Sequence, residues 1–176
     1  MVSIDLLASL DGLIWLQSGS KVGELFQQHQ TTVSRNQKKC AQVFGITLSK
    51  NKNKWDAHGD LMLLQLERQV HQVARLQGKS RLRLEVNGWL DNPHFNPPPS
   101  GWIAGSANKL SDPHSIQCLR QHIVDAYLCP LAELPVESQD LATIPLNMVI
   151  EAGLVVLQKN AFQERILDLR DKLKQM

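Results

Sequence analysis

The sequence predicts an α+β fold: a helical N-terminal half, one long helix, and a small C-terminal α/β region. Up to Gly78 the apolar residues recur mainly at helical spacing, whereas after Ser80 short alternating segments typical of strands appear between helices. Charge divides at the same point. Residues 1–79 carry ten Lys and Arg against six Asp and Glu, and residues 80–176 carry nine against eleven. We therefore expect two regions with different tasks.

The composition is that of an ordinary globular protein, with 43% hydrophobic and 20% charged residues. No apolar run approaches the roughly 20 residues that span a bilayer, and the N-terminus carries acids where a signal peptide carries bases. Three scattered cysteines (Cys40, Cys118 and Cys129) offer no metal-binding spacing. We expect a cytoplasmic protein without a membrane partner, a metal or a cofactor, in which Cys40 is a small buried side chain.

The N-terminal 45 residues predict three short helices. Ser3 caps the first, and the third ends at Gly45. The apolar positions are Leu6, Leu10, Leu13 and Ile14 in the first helix, Val22, Leu25 and Phe26 in the second, and Val33, Gln37, Cys40, Ala41 and Phe44 in the third. Because only a tight turn joins the last two helices, the pattern predicts a helix-turn-helix.

The third helix has a polar outer face. If Val33 and Phe44 face inward, then Thr32, Ser34, Arg35 and Lys38 face outward. Hydrogen-bonding groups near the start of a helix, with lysines further along, suit base edges and phosphates in a DNA major groove. Residues 30–54 contain six bases and no acid, which also favours a polyanion. An ordinary solvated helix face is the alternative.

The segment after Gly45 predicts a short hairpin, the wing of a winged helix-turn-helix. Lys50, Lys52 and Lys54 alternate with asparagines, and alternate residues of a strand share one face. We expect the three lysines to lie together on the DNA backbone; a solvated lysine turn is the alternative.

A long helix is predicted from about Asp60 to Gln77. Its apolar residues fall at alternating spacings of three and four, which is the seam of a coiled coil: Leu63, Leu66, Val70 and Val73. We interpret this stripe as a homodimer interface; packing on the chain's own domain is the alternative.

The C-terminal region predicts strands at Leu82–Val86, in WIAGS, and at Ala126–Leu128, Pro145–Ile150 and Leu154–Leu157. One helix follows Ser111 and Asp112, and a closing amphipathic helix carries Phe162, Ile166, Leu169 and Leu173. Ser106, Ser111 and Ser115 surround the loop before the first of these helices and form a possible pocket for a small-molecule anion. Plain turn and capping chemistry is the alternative.

From Ser18 to Leu48 the sequence resembles, without gaps, the N-terminal pattern of LysR-type transcriptional regulators. Ser18 matches the serine that precedes the second helix of the family. Val22 and Gly23 stand where the family has two alanines, and Phe26 stands where it has a leucine. The S-Q-x-x-V-S-R signature is matched at Gln30, Val33, Ser34 and Arg35, with His29 replacing its first serine, and the motif that follows is matched at Gly45 and Leu48. The family's L-E pair is Cys40-Ala41 here, and its F-x-R motif is absent. What remains after the long helix is about half of a LysR effector domain, with Asp125 at the position of that domain's aspartate.

The resemblance implies a dimeric, sequence-specific regulator that binds double-stranded DNA, with a small-molecule effector as a further candidate partner. It implies three parts: residues 1–59 as the winged helix-turn-helix, 60–78 as the linker helix, and 79–176 as a regulatory-like domain. The candidate DNA contacts are Ser18, Ser20, Lys21, Gln30, Thr31, Thr32, Ser34, Arg35, Lys38, Lys39, Lys50, Lys52 and Lys54. No nucleophile or acid–base constellation predicts an enzyme. The competing hypothesis is a protein-interaction module that kept this scaffold and lost DNA binding.

Overall fold

The computed structural model describes residues 1–88, 97–107, 112–135, 138–147 and 151–175. Within them the chain is α+β, as predicted, with six α-helices and two sheets. It divides into two compact units. The N-terminal unit comprises residues 1–73 and 121–123, and the C-terminal unit comprises 74–120 and 124–176.

The N-terminal unit consists of helices followed by a hairpin. Its elements are α1 (Ile4–Leu16), α2 (Gly19–Phe26), α3 (Gln30–Phe44), β1 (Thr47–Asn51), β2 (Lys54–His58) and most of α4 (Met62–Leu76). Ser3 caps α1, and Gly45 ends α3 in the left-handed region with φ +63°. Both boundaries agree with the sequence prediction. The strands β1 and β2 pair antiparallel around a two-residue turn.

Helix α1 is the centre of the N-terminal core. Every residue from Leu7 to Leu16 is buried, including Asp11, whereas the sequence predicted a single apolar stripe. Asp11 can be buried because it is paired. Its Oδ1 accepts a hydrogen bond of 2.7 Å from Nε of Arg68 on α4. A helix enclosed on all sides can contain an acid only when that charge is compensated.

The turn between α2 and α3 depends on a glycine. The amide of Gln28 donates to the carbonyl of Gly23 at 2.8 Å, and a Cβ built on Gly23 would lie 2.7 Å from the carbonyl oxygen of Gln28. No rotamer change relieves a collision with backbone. The close approach therefore fixes how α3 leaves α2.

We expect Gly23→Ala to lower the free energy of unfolding by about 1–3 kcal/mol, the usual cost of overpacking. Gly19→Ala is the matched control, because a Cβ on Gly19 has no heavy atom within 4 Å, and alanine there should be neutral or slightly stabilising. Urea denaturation followed by circular dichroism measures both. Equal stabilities for the two variants would contradict the role of Gly23.

The C-terminal unit is built on a five-stranded mixed sheet with the order β4-β3-β5-β7-β6. Its elements are β3 (Leu82–Val86), β4 (Trp102–Gly105), α5 (Asp112–Arg120), β5 (Ala126–Pro130), β6 (Leu141–Asn147), β7 (Glu151–Leu157) and α6 (Glu164–Leu173). Strand β3 is parallel to β4 and β5, and β7 is antiparallel to β5 and β6. One hydrophobic cluster packs on one face of this sheet and includes Ile166, Leu169 and Leu173 of α6. The opposite face is buried too, at Ile103, Tyr127 and Val155.

Several boundaries in this unit differ from the prediction, most of all those of β6 and α6. The strand expected at Pro145–Ile150 runs from Leu141 to Asn147, with residues 148–150 outside the described part; Pro145 is tolerated because β6 lies at the sheet edge. The closing helix begins only at Glu164, after a 3-10 turn at Gln158–Asn160. Phe162 therefore precedes the helix and is 84% exposed, so its predicted place in the core is wrong.

Candidate nucleic-acid interface

Helix α3 presents one buried and one exposed face. Val33 and Cys40 are 1% and 0% exposed, and they anchor the helix in the N-terminal core. The opposite arc is exposed and contains the predicted contact residues of this helix: Gln30, Thr31, Thr32, Ser34, Arg35, Lys38 and Lys39. The arc holds three cations and no acid. It is thus a positively charged polar face on an anchored helix.

The start of α2 adds further polar groups. Ser18 caps α2 by accepting from the amide of Lys21, and its hydroxyl lies 2.9 Å from the hydroxyl of Ser20. Ser20 and Lys21 are exposed, and Ser18 is half-buried. Ser18 therefore has a structural task in addition to the predicted DNA contact.

The prediction that Lys50, Lys52 and Lys54 share one face is wrong. Lys52 and Asn53 form the turn, with φ of 46° and 66°, and strand register pairs Asn51 with Lys54 and Lys50 with Trp55. Residues paired across two strands project from the same face. Lys50 and Lys54 consequently lie on opposite faces, because the alternation that holds along one strand does not continue through a turn.

Lys54 has an acidic neighbour on its own face. Its Nζ lies 3.6 Å from Oδ1 of Asp56, and both side chains are about one-third exposed (34% and 36%). Lys54 is the last of the six bases in residues 30–54, and its acidic partner lies just beyond that run. The pairing lowers the net positive charge of that face of the hairpin.

Gln17 fixes the base of the hairpin and was not identified from the sequence. It ends α1 with φ 59°. Its Nε2 donates to the carbonyl of Trp55 at 3.1 Å, and the Trp55 amide donates to its Oε1 at 2.5 Å. The side-chain amide thus occupies both backbone groups of Trp55, as a neighbouring strand would. A glutamine directly after an apolar helix was the only sequence signal.

A concavity of about 370 Å³ lies between α3 and the hairpin. Leu13, Val33, Leu48 and Trp55 supply its apolar part. Its polar lining comes from Gln30, Ser34, Gln37 and Lys38 of α3. Three of the predicted DNA-contact residues are therefore brought together in one concave surface with an aromatic ring.

Helix α4 leaves its predicted apolar seam exposed. Leu63, Leu66, Val70 and Val73 are 64%, 53%, 50% and 52% exposed, and Met62 is 67% exposed. Gln65 and Gln69 flank them, so the exposed surface between Met62 and Val73 carries no charge. The charged residues of α4 instead face the protein. This distribution is the reverse of a solvated helix, whose exposed side is polar.

Two buried arginines of α4, seven residues apart, each pair with an aspartate. Arg68 bonds Asp11 in the N-terminal unit, and Arg75 bonds Asp125 in the C-terminal unit through Nε–Oδ2 at 2.8 Å and Nη2–Oδ1 at 2.9 Å. Neither pair was predicted from the sequence, although the two arginines lie two turns apart on the side of the helix opposite the apolar seam, which was a signal.

One of the predicted effector serines, Ser115, bonds a buried carboxylate. Ser106 and Ser115 are 9% and 4% exposed. Oε1 of Glu85 accepts a hydrogen bond from Ser115 Oγ at 3.4 Å and from the Ala107 amide at 3.1 Å. Ser111 lies outside the described residues. Glu85 therefore occupies two donors, the Ser115 hydroxyl and the Ala107 amide, that an anion at this place would need.

Cys40 is buried as expected. Burial, reinforced by the Asp11 carboxylate, raises the pKa of its thiol to about 12, so the thiol is protonated and unreactive at neutral pH. Across the described part of the chain, no cluster of three or more His, Cys, Asp or Glu could hold a metal ion. No described helix combines the length and hydropathy needed to cross a membrane.

No family model and no curated protein matches the sequence. The similar solved structures include LysR-type regulators. A full-length OxyR variant from Pseudomonas aeruginosa has a TM-score of 0.44 and 17% sequence identity, and the match covers 83% of this chain and 53% of that chain. ArgP from Mycobacterium tuberculosis has a TM-score of 0.39 and 18% identity, with 83% of this chain and 53% of that chain covered. Full-length LysG from Corynebacterium glutamicum with bound effector arginine has a TM-score of 0.36 and 19% identity, with 82% of this chain and 55% of that chain covered. The chain spans about half the length of these proteins. None of these values is high enough to place the chain in a family.

Proposed function

We propose that the chain is a sequence-specific transcriptional regulator that binds double-stranded DNA as a homodimer, with the organisation of a LysR-type protein. In this proposal α2 and α3 form a helix-turn-helix, the hairpin is the wing, and α4 is the linker helix. Residues 1–59, 60–78 and 79–176 are then the DNA-binding, dimerisation and regulatory-like parts. The observation that most strongly supports this proposal is the exposed arc of α3, which combines hydrogen-bonding groups and three cations on a helix anchored by its buried face.

The order of residues along α3 suits the major groove. Thr31, Thr32 and Arg35 lie in the first half of the helix, where a recognition helix approaches base edges. Arginine can donate two hydrogen bonds to guanine, and threonine can offer its methyl group to thymine. Lys38 and Lys39 follow in the second half, where phosphates are within reach. Base contacts would supply the sequence preference, and the lysines would supply salt-dependent affinity.

The exposed seam of α4 supports the dimeric part of the proposal. An uncharged apolar stripe at coiled-coil spacing is unfavourable in water and is stabilised when a second copy covers it. A two-fold dimer presents two α3 helices to the DNA, so the target would contain two related half-sites. The experiment that tests the whole proposal is selection of bound duplexes from a random pool, with paired half-sites as the expected result.

Arg35→Ala is expected to weaken binding to the selected site by about 1–3 kcal/mol and to relax the preference at one base pair. Arg81→Ala, which removes an exposed arginine of the C-terminal unit, is the matched control and should leave affinity unchanged. Gel-shift titration measures both. Unchanged affinity for Arg35→Ala would remove this residue from the interface.

A protein-interaction module without DNA binding is the second candidate. The hairpin favours it in one respect, because Lys54 is paired with Asp56 and the lysines do not form a common basic surface. Titration of the protein with duplex DNA over a range of salt concentrations separates the two candidates. Absence of binding even at low salt would select the interaction module.

A further inference from the structure

The two faces of the hairpin differ in chemistry. The register places Leu48, Lys50, Trp55 and Ala57 on one face, which contains no acid. Lys54 and Asp56 lie on the opposite face, 3.6 Å apart. The three lysines are therefore not equivalent, although the sequence makes them look so.

The face with Lys50 is the face turned toward α3. Leu48 and Trp55 belong to this face, and both line the concavity together with Ser34 and Lys38 of α3. Lys50 is exposed on the same face, beside Trp55 across the ladder. Lys38 thus lines the concavity on its helix side, and Lys50 lies next to it on the hairpin, paired across the strands with the lining residue Trp55.

Trp55 is held where it can form the floor of that surface. Its backbone N–H and C=O are both bonded to Gln17 and so point away from β1. The Lys50–Trp55 pair is consequently a non-hydrogen-bonded pair, in which side chains of the two strands lie closest. The Lys50 and Trp55 side chains therefore start from neighbouring positions on the same face of the hairpin.

We propose that the concavity between α3 and the hairpin receives the sugar–phosphate backbone of one strand of duplex DNA. Lys38 and Lys50 contact phosphates from its two sides, the Trp55 ring packs against a deoxyribose, and Lys54 takes no part. The assignment rests on the proposed function and specifies how the hairpin serves it. The volume of about 370 Å³ lies at the lower end of the pocket range of about 300–1,000 Å³, which suits a sugar–phosphate segment and not a folded element.

Two variants of the full chain, Lys50→Ala and Lys54→Ala, distinguish a phosphate contact by Lys50 from a general electrostatic attraction between the hairpin lysines and DNA. The probe is a duplex of random sequence, titrated at several salt concentrations. Each lost phosphate contact should reduce the slope of log K against log salt by about 0.9. We expect that reduction for Lys50→Ala and for Lys38→Ala, about twice that reduction for the double variant, and no change for Lys54→Ala. Lys50→Arg should restore the slope.

Tryptophan emission provides an independent readout. Trp15 and Trp102 are 0% and 2% exposed, whereas Trp55 is partly exposed in the concavity. The fourth tryptophan, Trp89, lies outside the described residues, so every protein in this experiment carries Trp89→Phe. Addition of the duplex should change the emission of the protein that retains Trp55. The change should be largely absent in Trp55→Phe, which is expected to keep most of the affinity.

The outcomes distinguish the two levels of the proposal. A wild-type protein that binds no duplex at low salt removes the proposed function, and the backbone site with it. A wild-type protein that binds with a steep salt dependence, while Lys50→Ala and Lys54→Ala lose equal slope or only Lys54→Ala loses slope, overturns the backbone site alone. The same holds if Trp55→Phe retains the full emission change.

Discussion

Replacing Asp125 by alanine is expected to lower the free energy of unfolding of the C-terminal unit by about 3–5 kcal/mol, because the substitution leaves a buried charge without its partner. The Arg75 and Asp125 side chains are 3% and 0% exposed. Asp125 accepts two hydrogen bonds from Arg75 and one from the Arg83 amide, at 2.9 Å. Its own amide donates to the Arg83 carbonyl at 2.8 Å. Alanine would remove these three acceptor contacts of the carboxylate and leave the guanidinium of Arg75 buried without the opposite charge of Asp125.

The exposed pair of Arg120 and Asp140 is the control, since it has the same two-bond geometry without the burial. Its donor–acceptor distances are 2.6 and 3.2 Å, and its side chains are 50% and 48% exposed. The Arg120 guanidinium, followed by the Ser138 hydroxyl, lowers the pKa of Asp140 to about 2. Water screens this pair, so Asp140→Ala should cost at most about 1 kcal/mol. Because the folded-state pKa is depressed, this small contribution is present above pH 3.8 and is lost as the pH falls toward 2.

Urea denaturation of the full chain gives both stabilities, and hydrogen exchange of peptides from β3 and β5 assigns the loss to the C-terminal unit. Asp125→Asn retains one acceptor oxygen and should fall between the wild type and Asp125→Ala. Losses of similar size for Asp125→Ala and Asp140→Ala would mean that burial does not set the strength of these pairs. That result would contradict the prediction.

The elements that the sequence predicted well are those governed by local chemistry. Ser3, Gly45 and the apolar stripe of α3 act within one or two helical turns, so their pattern alone placed the boundaries and the buried face of α3 correctly. The seam of α4 was legible for the same reason. Its exposure agrees with the interpretation of the stripe as an interface and not with the alternative of packing on the chain's own domain; periodicity does not identify what covers it.

The features that the sequence did not reveal depend on contacts between distant residues. The pairs Arg68–Asp11 and Arg75–Asp125 join positions 57 and 50 residues apart. The turn at Lys52-Asn53 uses two left-handed residues without glycine, so no Asn-Gly or Asp-Gly signal marked it, and the lysines were assigned to one face. The Gln17 clamp on Trp55 is likewise a tertiary contact, and it positions the candidate site.

Leu66→Asp is expected to convert the proposed dimer into a monomer. Leu66 lies in the exposed stripe of α4 and is 53% exposed. Burying one leucine contributes about 1.5–3 kcal/mol, and a two-fold interface contains each residue twice. The substitution should therefore weaken the dimer by about 3–6 kcal/mol, which corresponds to a Kd roughly 10²–10⁴-fold higher. Sedimentation over a range of protein concentrations measures the change.

Gln65→Glu adds a negative charge to the neighbouring turn and serves as the control. Gln65 is exposed at the side of the stripe, and its substitution should change the dimer Kd by less than about tenfold. Both variants should keep the wild-type circular dichroism spectrum, since neither position contributes to the buried core. A wild-type chain that stays monomeric at every concentration, or a Leu66→Asp chain that stays dimeric, would exclude this stripe as the dimer contact.

The DNA affinity of Leu66→Asp then distinguishes loss of the dimer from damage to helix α3. The exposed arc of α3 is formed within the N-terminal unit and does not include α4, so a monomer should still bind a single half-site with the wild-type salt dependence. Affinity for a paired site should fall steeply, because the second half-site is no longer held at a high local concentration by the first. Equal loss on single and paired half-sites would show that α4 acts on α3 itself and would leave the dimer without a role in recognition.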